Sequence, residues 1–215
     1  MPQSRPTIAC SLLLALAAVA PQARAAGPAF EITPFGGYRI GGQFETRATE
    51  TVPSQDLDLD EGGSWGVDLG LYRDSSSFYE LLYSTSSTGL DTNDPFYADL
   101  DVKTEYIHVG GTLLFADERW WAPWFSFTAG ATRFSAGGGY DSDTKFSVSM
   151  GGGVRVPFND YVAATAGVRG YLTFVDSDTD LLCVSTGEQG GCLLKSSGSA
   201  WYQFEGLIGL TVGFR

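Results

Sequence analysis

Among the residue types that commonly act as a general base in catalysis, this 215-residue sequence contains a single histidine. To act as a general base, His108 would need a Ser, Asp or Glu partner and access to a substrate. It shares the parity of Tyr106, Gly110 and Thr112 in the middle of an alternating segment, on the face that we expect to point inward. We therefore expect a buried, hydrogen-bonded histidine, no catalytic residues and no enzyme activity.

A run of acidic residues from Asp56 to Gly62 is a candidate metal site, because spaced carboxylates are the ligands that Ca²⁺ prefers. An EF-type loop requires glycine at its sixth position and a carboxylate at its twelfth, where Glu61 and Val67 stand. The alternating leucines of the run instead predict a strand extension or an acidic loop. We expect no metal site and no cofactor.

A third group consists of charged residues on the polar face of alternating segments: Glu31, Arg39, Asp68, Glu80, Arg155, Arg169 and Glu205. Buried charges are costly unless they are paired, so these residues are predicted to form ion pairs. Counting along the strands places Arg169 near the height of Glu205, and Glu80 at the height of Arg155 on a facing strand. The pairs form either a structural plug, which we favour, or a gate that passes ions or small solutes when the pairs exchange.

Strands must position these charges, because the segments around them alternate in polarity with a period of two residues. Between residues 199 and 215, Phe204, Ile208 and Leu210 fall on one face and Glu205 lies on the other. The pattern predicts strands at residues 30–41, 64–73, 77–90, 101–116, 121–136, 144–158, 161–175 and 199–215. Long connections (42–63, 91–100 and 176–198) alternate with short ones (74–76, 117–120 and 159–160), and 137–143 is intermediate.

This arrangement is typical of a transmembrane β-barrel, in which short periplasmic turns alternate with long outer loops. A tilted strand of about 9–11 residues crosses a bilayer, and all its backbone amides must be paired, so the sheet has to close. We therefore predict an all-β fold, an eight-stranded antiparallel up-and-down transmembrane barrel. Eight strands enclose an interior that side chains fill.

The N-terminus carries the features of an export signal. Arg5 precedes an apolar stretch at residues 8–20, and Ala23-Arg24-Ala25 fits the small-x-small cleavage rule. The apolar stretch is shorter than the roughly 20 residues that a membrane helix needs. We expect a signal peptide at residues 1–25, a barrel domain at residues 26–215, and localisation in the outer membrane.

The charge of the mature chain argues against nucleic acid as a partner. Without Arg5 and Arg24 the chain keeps 11 basic residues against 25 acidic ones, a net charge of 11 − 25 = −14. Binding to the phosphate backbone of a nucleic acid requires many clustered Lys and Arg residues, which the sequence lacks. Most acidic residues fall in the long connections, where Cys183 and Cys192 are predicted to form a disulfide, since oxidation is favoured in exported proteins.

Aromatic residues cluster where strands are expected to meet the membrane interface. Trp120, Trp121 and Trp124 surround one short connection, Phe158 and Tyr161 surround another, and Phe78 and Tyr79 surround the third. We predict that these seven residues form a periplasmic aromatic girdle. The alternative for the three tryptophans is an ordinary place in the core.

The sequence from Glu31 to Arg39 resembles the first strand of the OmpA, OmpX and OmpW type of small outer-membrane barrels. The resemblance extends over residues 30–215 and implies lipid, lipopolysaccharide and the barrel-assembly machinery as partners. Gly209, Val212 and Phe214 match the C-terminal assembly signal of such proteins. Leu207, where a polar residue is usual, and Arg215, after the terminal aromatic, depart from that signal.

Two charged residues share parity with the lipid-facing set. Glu105 and Arg133 lie toward the outer ends of their strands, where a charge costs little because lipid headgroups are near. We expect both at headgroup level, with Arg133 near a lipopolysaccharide phosphate.

Three functions agree with these features. The first, which we favour, is a structural or surface-interaction barrel whose acidic loops meet extracellular ligands or neighbouring cells. The second is a narrow conduit for small or apolar solutes, which the resemblance to the OmpW type implies. The third is an exported soluble barrel that binds a ligand in its lumen, as lipocalins do; its apolar side chains would face inward. The sequence specifies no extracellular ligand.

Overall fold

A computed structural model of the chain describes residues 29–45, 56–58, 61–88, 102–115, 120–136, 142–175, 180–184, 191–195 and 200–215. Its strands are β1 (Phe30–Ile40), β2 (Gln43–Glu45), β3 (Asp56–Asp58), β4 (Gly62–Tyr72), β5 (Ser77–Thr88), β6 (Val102–Leu114), β7 (Ala122–Ala136), β8 (Asp143–Pro157), β9 (Val162–Phe174), β10 (Asp180–Val184), β11 (Gly191–Lys195) and β12 (Ala200–Phe214). Within these ranges, no helix has the length and apolar character that crossing a membrane requires.

Eight strands form a closed antiparallel barrel in the order β1-β12-β9-β8-β7-β6-β5-β4, and β4 also pairs with β1, so no strand of the barrel has a free edge. The predicted fold class is therefore confirmed, and the predicted strand limits lie within two residues of those observed. Two small antiparallel sheets, β2 with β3 and β10 with β11, extend from the connections of the barrel. The backbone of residues 56–58 is thus extended, as the alternating leucines predict.

Most of the large apolar side chains of the barrel strands point outward. Ile208 is 72% exposed and Val168 is 67% exposed, whereas Arg169 and Glu205 on the same two strands are buried. A water-soluble barrel would hide the apolar set and expose the charged one. This orientation is the one that a lipid environment requires, and it excludes the lipocalin-like alternative.

The short turns and both termini of the barrel lie at one end. The amide of Ala29 donates to the carbonyl of Phe214, and the turns at residues 73–76 and 158–161 lie at this end. The hydroxyls of Ser77 and Ser76 and the amide of Ser76 donate to the Asp74 carboxylate, and these bonds lower its pKa to about 2. By the usual arrangement of outer-membrane barrels, this end faces the periplasm.

The strand ends that the long connections join lie at the opposite end. Most of their acidic residues, including Glu50, Asp60, Asp91, Asp94 and Glu188, fall outside the described residues. In the connection between β9 and β12, the backbones of Cys183 and Cys192 lie opposite each other in the register of β10 and β11. The disulfide between them stays a prediction.

Candidate functional site in the barrel interior

Alternation along the strands directs a set of charged and hydroxyl side chains into the barrel. Among the described residues, the fully buried side chains include Arg39, His108 and Glu205 together with Tyr106 and Tyr171. The charges lie at three levels, which we call the lower, middle and upper ion pairs, counted from the periplasmic end.

The lower ion pair joins Arg155 of β8 to Glu31 of β1 through two hydrogen bonds. Arg155 Nη2 donates to Glu31 Oε1 at 2.7 Å, and Arg155 Nη1 donates to Oε2 at 3.0 Å. The hydroxyl of Tyr72 also donates to Glu31 Oε2, at 2.6 Å, and Arg155 lies over the ring of Phe78. Such two-pronged guanidinium–carboxylate bonds are stronger than single ones and fix the geometry of both side chains.

The middle ion pair joins Arg169 of β9 to Glu80 of β5 across the lumen. Arg169 Nη2 donates to Glu80 Oε1 at 2.6 Å, and Arg169 Nη1 donates to Ser149 Oγ at 3.3 Å. The hydroxyl of Thr112 donates to the second carboxylate oxygen of Glu80. Asp68 stands 3.9 Å from Arg169 Nη2, a looser contact with the same guanidinium.

The upper ion pair joins Arg39 of β1 to Glu205 of β12, with 3.0 Å between Nη2 and Oε1. Ser84 lies within hydrogen-bond distance of both partners: it accepts from Arg39 at 2.5 Å, and its oxygen is 3.1 Å from Glu205 Oε1. The hydroxyl of Tyr171 donates to Glu205 Oε2 at 2.6 Å. The guanidinium of Arg39 also lies 4.9 Å from the centre of the Tyr106 ring, which stacks on Tyr171.

His108 is buried beside these levels and hydrogen-bonded through both ring nitrogens. Its Nδ1 lies 3.1 Å from Thr128 Oγ1, and its Nε2 lies 2.7 Å from Ser147 Oγ. The ring also makes an edge contact with Tyr106. With no exposed surface, the histidine lies out of reach of an external substrate.

The pairing within the charged set differs from the one that strand counting predicts. Arg169 is in register with Glu205, but Glu205 is also in register with Arg39 on its other side. Glu205 bonds to Arg39, and Arg169 reaches across the lumen to Glu80. Because Arg169 occupies Glu80, Arg155 pairs with Glu31 instead. Arginine side chains are long enough to reach these carboxylates across the closed barrel.

The aromatic girdle requires two corrections. Phe78 is only 4% exposed and belongs to the core cluster inside the barrel, whereas its neighbour Tyr79 is exposed. Trp120, Phe158 and Tyr161 are exposed near the periplasmic end, and Trp121 is half-buried. Trp124, in contrast, is only 7% exposed and belongs to the core cluster inside the barrel. Its parity with Ser126 and Thr128, which are fully buried in the lumen, is the sequence signal that places it inside.

A cavity of about 30 Å³ lies between the lower and middle ion pairs, a size that accommodates roughly one water molecule. It is lined by Thr33, Phe35, Asp68, Phe78, Thr112, Trp124, Arg155, Thr165, Arg169 and Leu207. Leu207, which departs from the usual assembly signal, is therefore an interior residue packed among apolar side chains. Asp68 Oδ1 lines this region without a hydrogen-bond partner among the described residues.

The residues of the predicted assembly signal lie at the periplasmic end of β12. Gly209 pairs with Phe35 of β1, and Val212 pairs with Ile32. Phe214 faces outward and stacks on Phe30, with 4.9 Å between the ring centres. These contacts lie at the seam between the first and last strands, where the barrel closes.

Closed strand order, an apolar exterior and a paired charged interior together define a small transmembrane β-barrel. The model of the outer membrane protein beta-barrel domain family matches residues 9–188, so the chain belongs to that family. The chain is accordingly a protein of the Gram-negative outer membrane.

Solved structures of outer-membrane barrels are similar to this fold. Neisserial surface protein A superposes with a TM-score of 0.59 at 14% identity and covers 88% of this chain and 99% of its own. The outer membrane protein AlkL gives 0.55 at 8% identity, covering 100% and 97%. OprG from Pseudomonas aeruginosa gives 0.54 at 10% identity, covering 88% and 98%. At these identities the likeness concerns the fold, and no curated protein matches the sequence.

Proposed function

We propose that the protein is a structural and surface-interaction barrel whose lumen is closed by a side-chain plug and whose acidic outer loops contact ligands or neighbouring cells. The observation that carries the proposal is the stack of three buried ion pairs, Arg155–Glu31, Arg169–Glu80 and Arg39–Glu205. Each lies at a different height and is held by additional hydroxyl groups.

The plug is supported by the way in which each level fills the cross-section. The lower pair is reinforced by Tyr72 and the upper pair by Tyr171, both through short hydrogen bonds to the carboxylate. Above them, the buried rings of Phe134 and Trp201 pack edge to face with 4.9 Å between their centres. Passage of a hydrated ion would require several of these contacts to break together, at a cost of several kcal/mol for each buried charge.

The role of the outer loops is supported by charge. The long connections hold most of the 25 acidic residues, in a mature chain with a net charge of 11 − 25 = −14. A disulfide between Cys183 and Cys192 would restrain the longest of these loops near its tip. Such a surface favours cationic ligands and cation bridges, and it disfavours polyanions.

Planar-bilayer recording of the purified barrel tests the plug. We expect the parent protein to give no defined single-channel steps, and the double variant Arg169→Ala/Glu80→Ala to increase ion leakage. The matched control is Lys103→Ala/Glu105→Ala, which removes an ion pair from the outer wall and should leave the record unchanged. Defined, salt-dependent channels in the parent would instead support the narrow-conduit alternative.

Protease treatment of intact cells tests the surface role of the loops. A glutamate-specific protease should cut at Glu50 and Glu188, in outer loops, and spare Glu118, in a periplasmic turn. The outer-loop cleavage products should appear without permeabilisation of the cells. Cleavage at Glu118 alone would show that the barrel has the opposite orientation in the membrane, and it would contradict the proposed surface role of the long loops.

A further inference from the structure

The apolar outer wall of the barrel is interrupted by a polar patch at the loop end of β5 to β8. Strand register aligns its residues in two rows, one of Ser87, Lys103 and Ser135, and the other of Glu105, Arg133 and Thr144. We call these six residues the outer polar patch. On β6 the next outward residue toward the periplasm is Ile107, which is 58% exposed, so the patch begins where the apolar wall ends.

The height of the patch matches the outer boundary of the membrane. Lys103 lies 11 positions from Leu114 at the periplasmic end of β6, and Arg133 lies 11 positions from Ala122 on β7. At ~3.3 Å per residue and a tilt of ~40°, 11 positions rise about 28 Å, close to the ~25 Å apolar band of such barrels. Both cations therefore lie at the level of the outer-leaflet headgroups.

Other strands carry aromatic residues at this height. Phe146 lies 11 positions from Pro157 on β8, and Phe174 and Tyr202 lie 12 positions from the periplasmic ends of β9 and β12. All three are exposed on the outer wall. The rim is thus aromatic on one side of the barrel and cationic on the other, so charge at this height is a local feature of the β6 and β7 wall.

The charges of the patch are arranged to receive an anion. The side chain of Lys103 is 46% exposed and donates to Glu105 at 2.8 Å, and Glu105 also accepts from the hydroxyl of Tyr83. Arg133, in register with Glu105, is exposed and donates to Ser142 at 3.1 Å. Two cations and one carboxylate leave a net charge of +1. Among the described outward-facing residues of this rim, Lys103 and Arg133 are the cations.

We propose that Lys103 and Arg133 bind a phosphate group of lipopolysaccharide in the outer leaflet. Diagonal neighbours on paired strands have their Cβ atoms roughly 7 Å apart, a span that one phosphate bridges between two long side chains. The ammonium of Lys103 has three donors, so it can bond to the phosphate while Glu105 holds it in place. Ser87 and Ser135, beside Lys103, supply further hydroxyl donors.

Lipid binding by the folded, full-length mature protein in detergent tests the site. The probes are bisphosphorylated lipid A, the same lipid after enzymatic removal of its phosphates, phosphatidylglycerol and inorganic phosphate. Binding is measured by native mass spectrometry, and heat-modifiable gel migration verifies that each variant is folded. We expect about tenfold tighter binding of the phosphorylated lipid A, a preference that weakens as salt increases.

The decisive variant is Lys103→Gln/Arg133→Gln, which should remove the preference for phosphorylated lipid A. The matched control is Arg73→Gln, because Arg73 is an exposed cation at the periplasmic end and should leave binding unchanged. Equal binding of both forms of lipid A, or an unchanged preference in the double variant, would overturn the proposal. Equally tight binding of phosphatidylglycerol or inorganic phosphate would overturn the assignment to lipopolysaccharide.

Discussion

Removal of the Glu205 carboxylate provides the strictest test of the buried network. In Glu205→Ala, the guanidinium of Arg39 stays in the lumen with its ionic partner gone, and Tyr171 loses the acceptor of its hydroxyl. Breaking a buried ion pair from one side costs about 3–5 kcal/mol, because an uncompensated charge remains. We expect the free energy of unfolding to fall by about that amount.

The expected loss of stability is large because the Arg39–Glu205 pair is buried, and it does not depend on an unusually short distance between the two side chains. The side chains of the Arg39–Glu205 pair are 1% and 0% exposed, whereas those of Lys103 and Glu105 are 46% and 17% exposed at a similar separation of 2.8 Å. Exposed pairs contribute about 0–1 kcal/mol. Glu105→Ala is therefore the matched control and should change stability by no more than about 1 kcal/mol.

Equilibrium unfolding in urea, in detergent or lipid, supplies the measurement, with heat-modifiable migration as the readout of the folded barrel. A third variant, Arg39→Met/Glu205→Ala, removes both charges and should be more stable than Glu205→Ala alone, because no buried charge is left unpaired. A Glu205→Ala protein as stable as the Glu105→Ala control would refute the reasoning. The reasoning would also be refuted if the double variant had a lower free energy of unfolding than Glu205→Ala alone.

Three further predictions concern single features of the barrel. Trp124→Ala should lower the free energy of unfolding by about 3–5 kcal/mol, since it removes a large buried ring. Trp120→Ala, on the outer wall, should change that free energy little. Equal effects of the two substitutions in urea unfolding would contradict the inward placement of Trp124. The carboxyl of Asp74, with its lowered pKa of about 2, should stay ionised from neutral pH to about pH 4. Its hydrogen bonds to the turn should be lost only as the pH falls through about 2. An NMR titration midpoint near 4 would show that those hydrogen bonds are absent. In mass spectrometry, the oxidised protein should be lighter than the reduced protein by the mass of two hydrogens. Proteolytic digestion should give one peptide pair in which Cys183 is linked to Cys192. Free thiols at both positions would exclude the disulfide.

The fold could be predicted from the sequence because its main signal is local. A period of two residues specifies which side chains share a face, and in a barrel each face has one environment. The predicted strand around Glu205 therefore lies within one residue of the observed limits and has the orientation that the structure gives it. The girdle prediction for Trp124 was wrong because it relied on the position of this residue near a turn, whereas the parity that Trp124 shares with Ser126 and Thr128 indicates an inward side chain.

The sequence by itself determined that the barrel has eight strands, an apolar outer face and a charged interior, because those properties depend on alternation within each strand. The choice of ionic partners was decided only by the tertiary structure. Glu205 has an arginine in register on each side, and its bond to Arg39, 166 positions away in the chain, exists because β1 closes the barrel against β12. Closure also brings Arg169 within reach of Glu80, since side chains from nonadjacent strands meet only when the sheet curves into a cylinder.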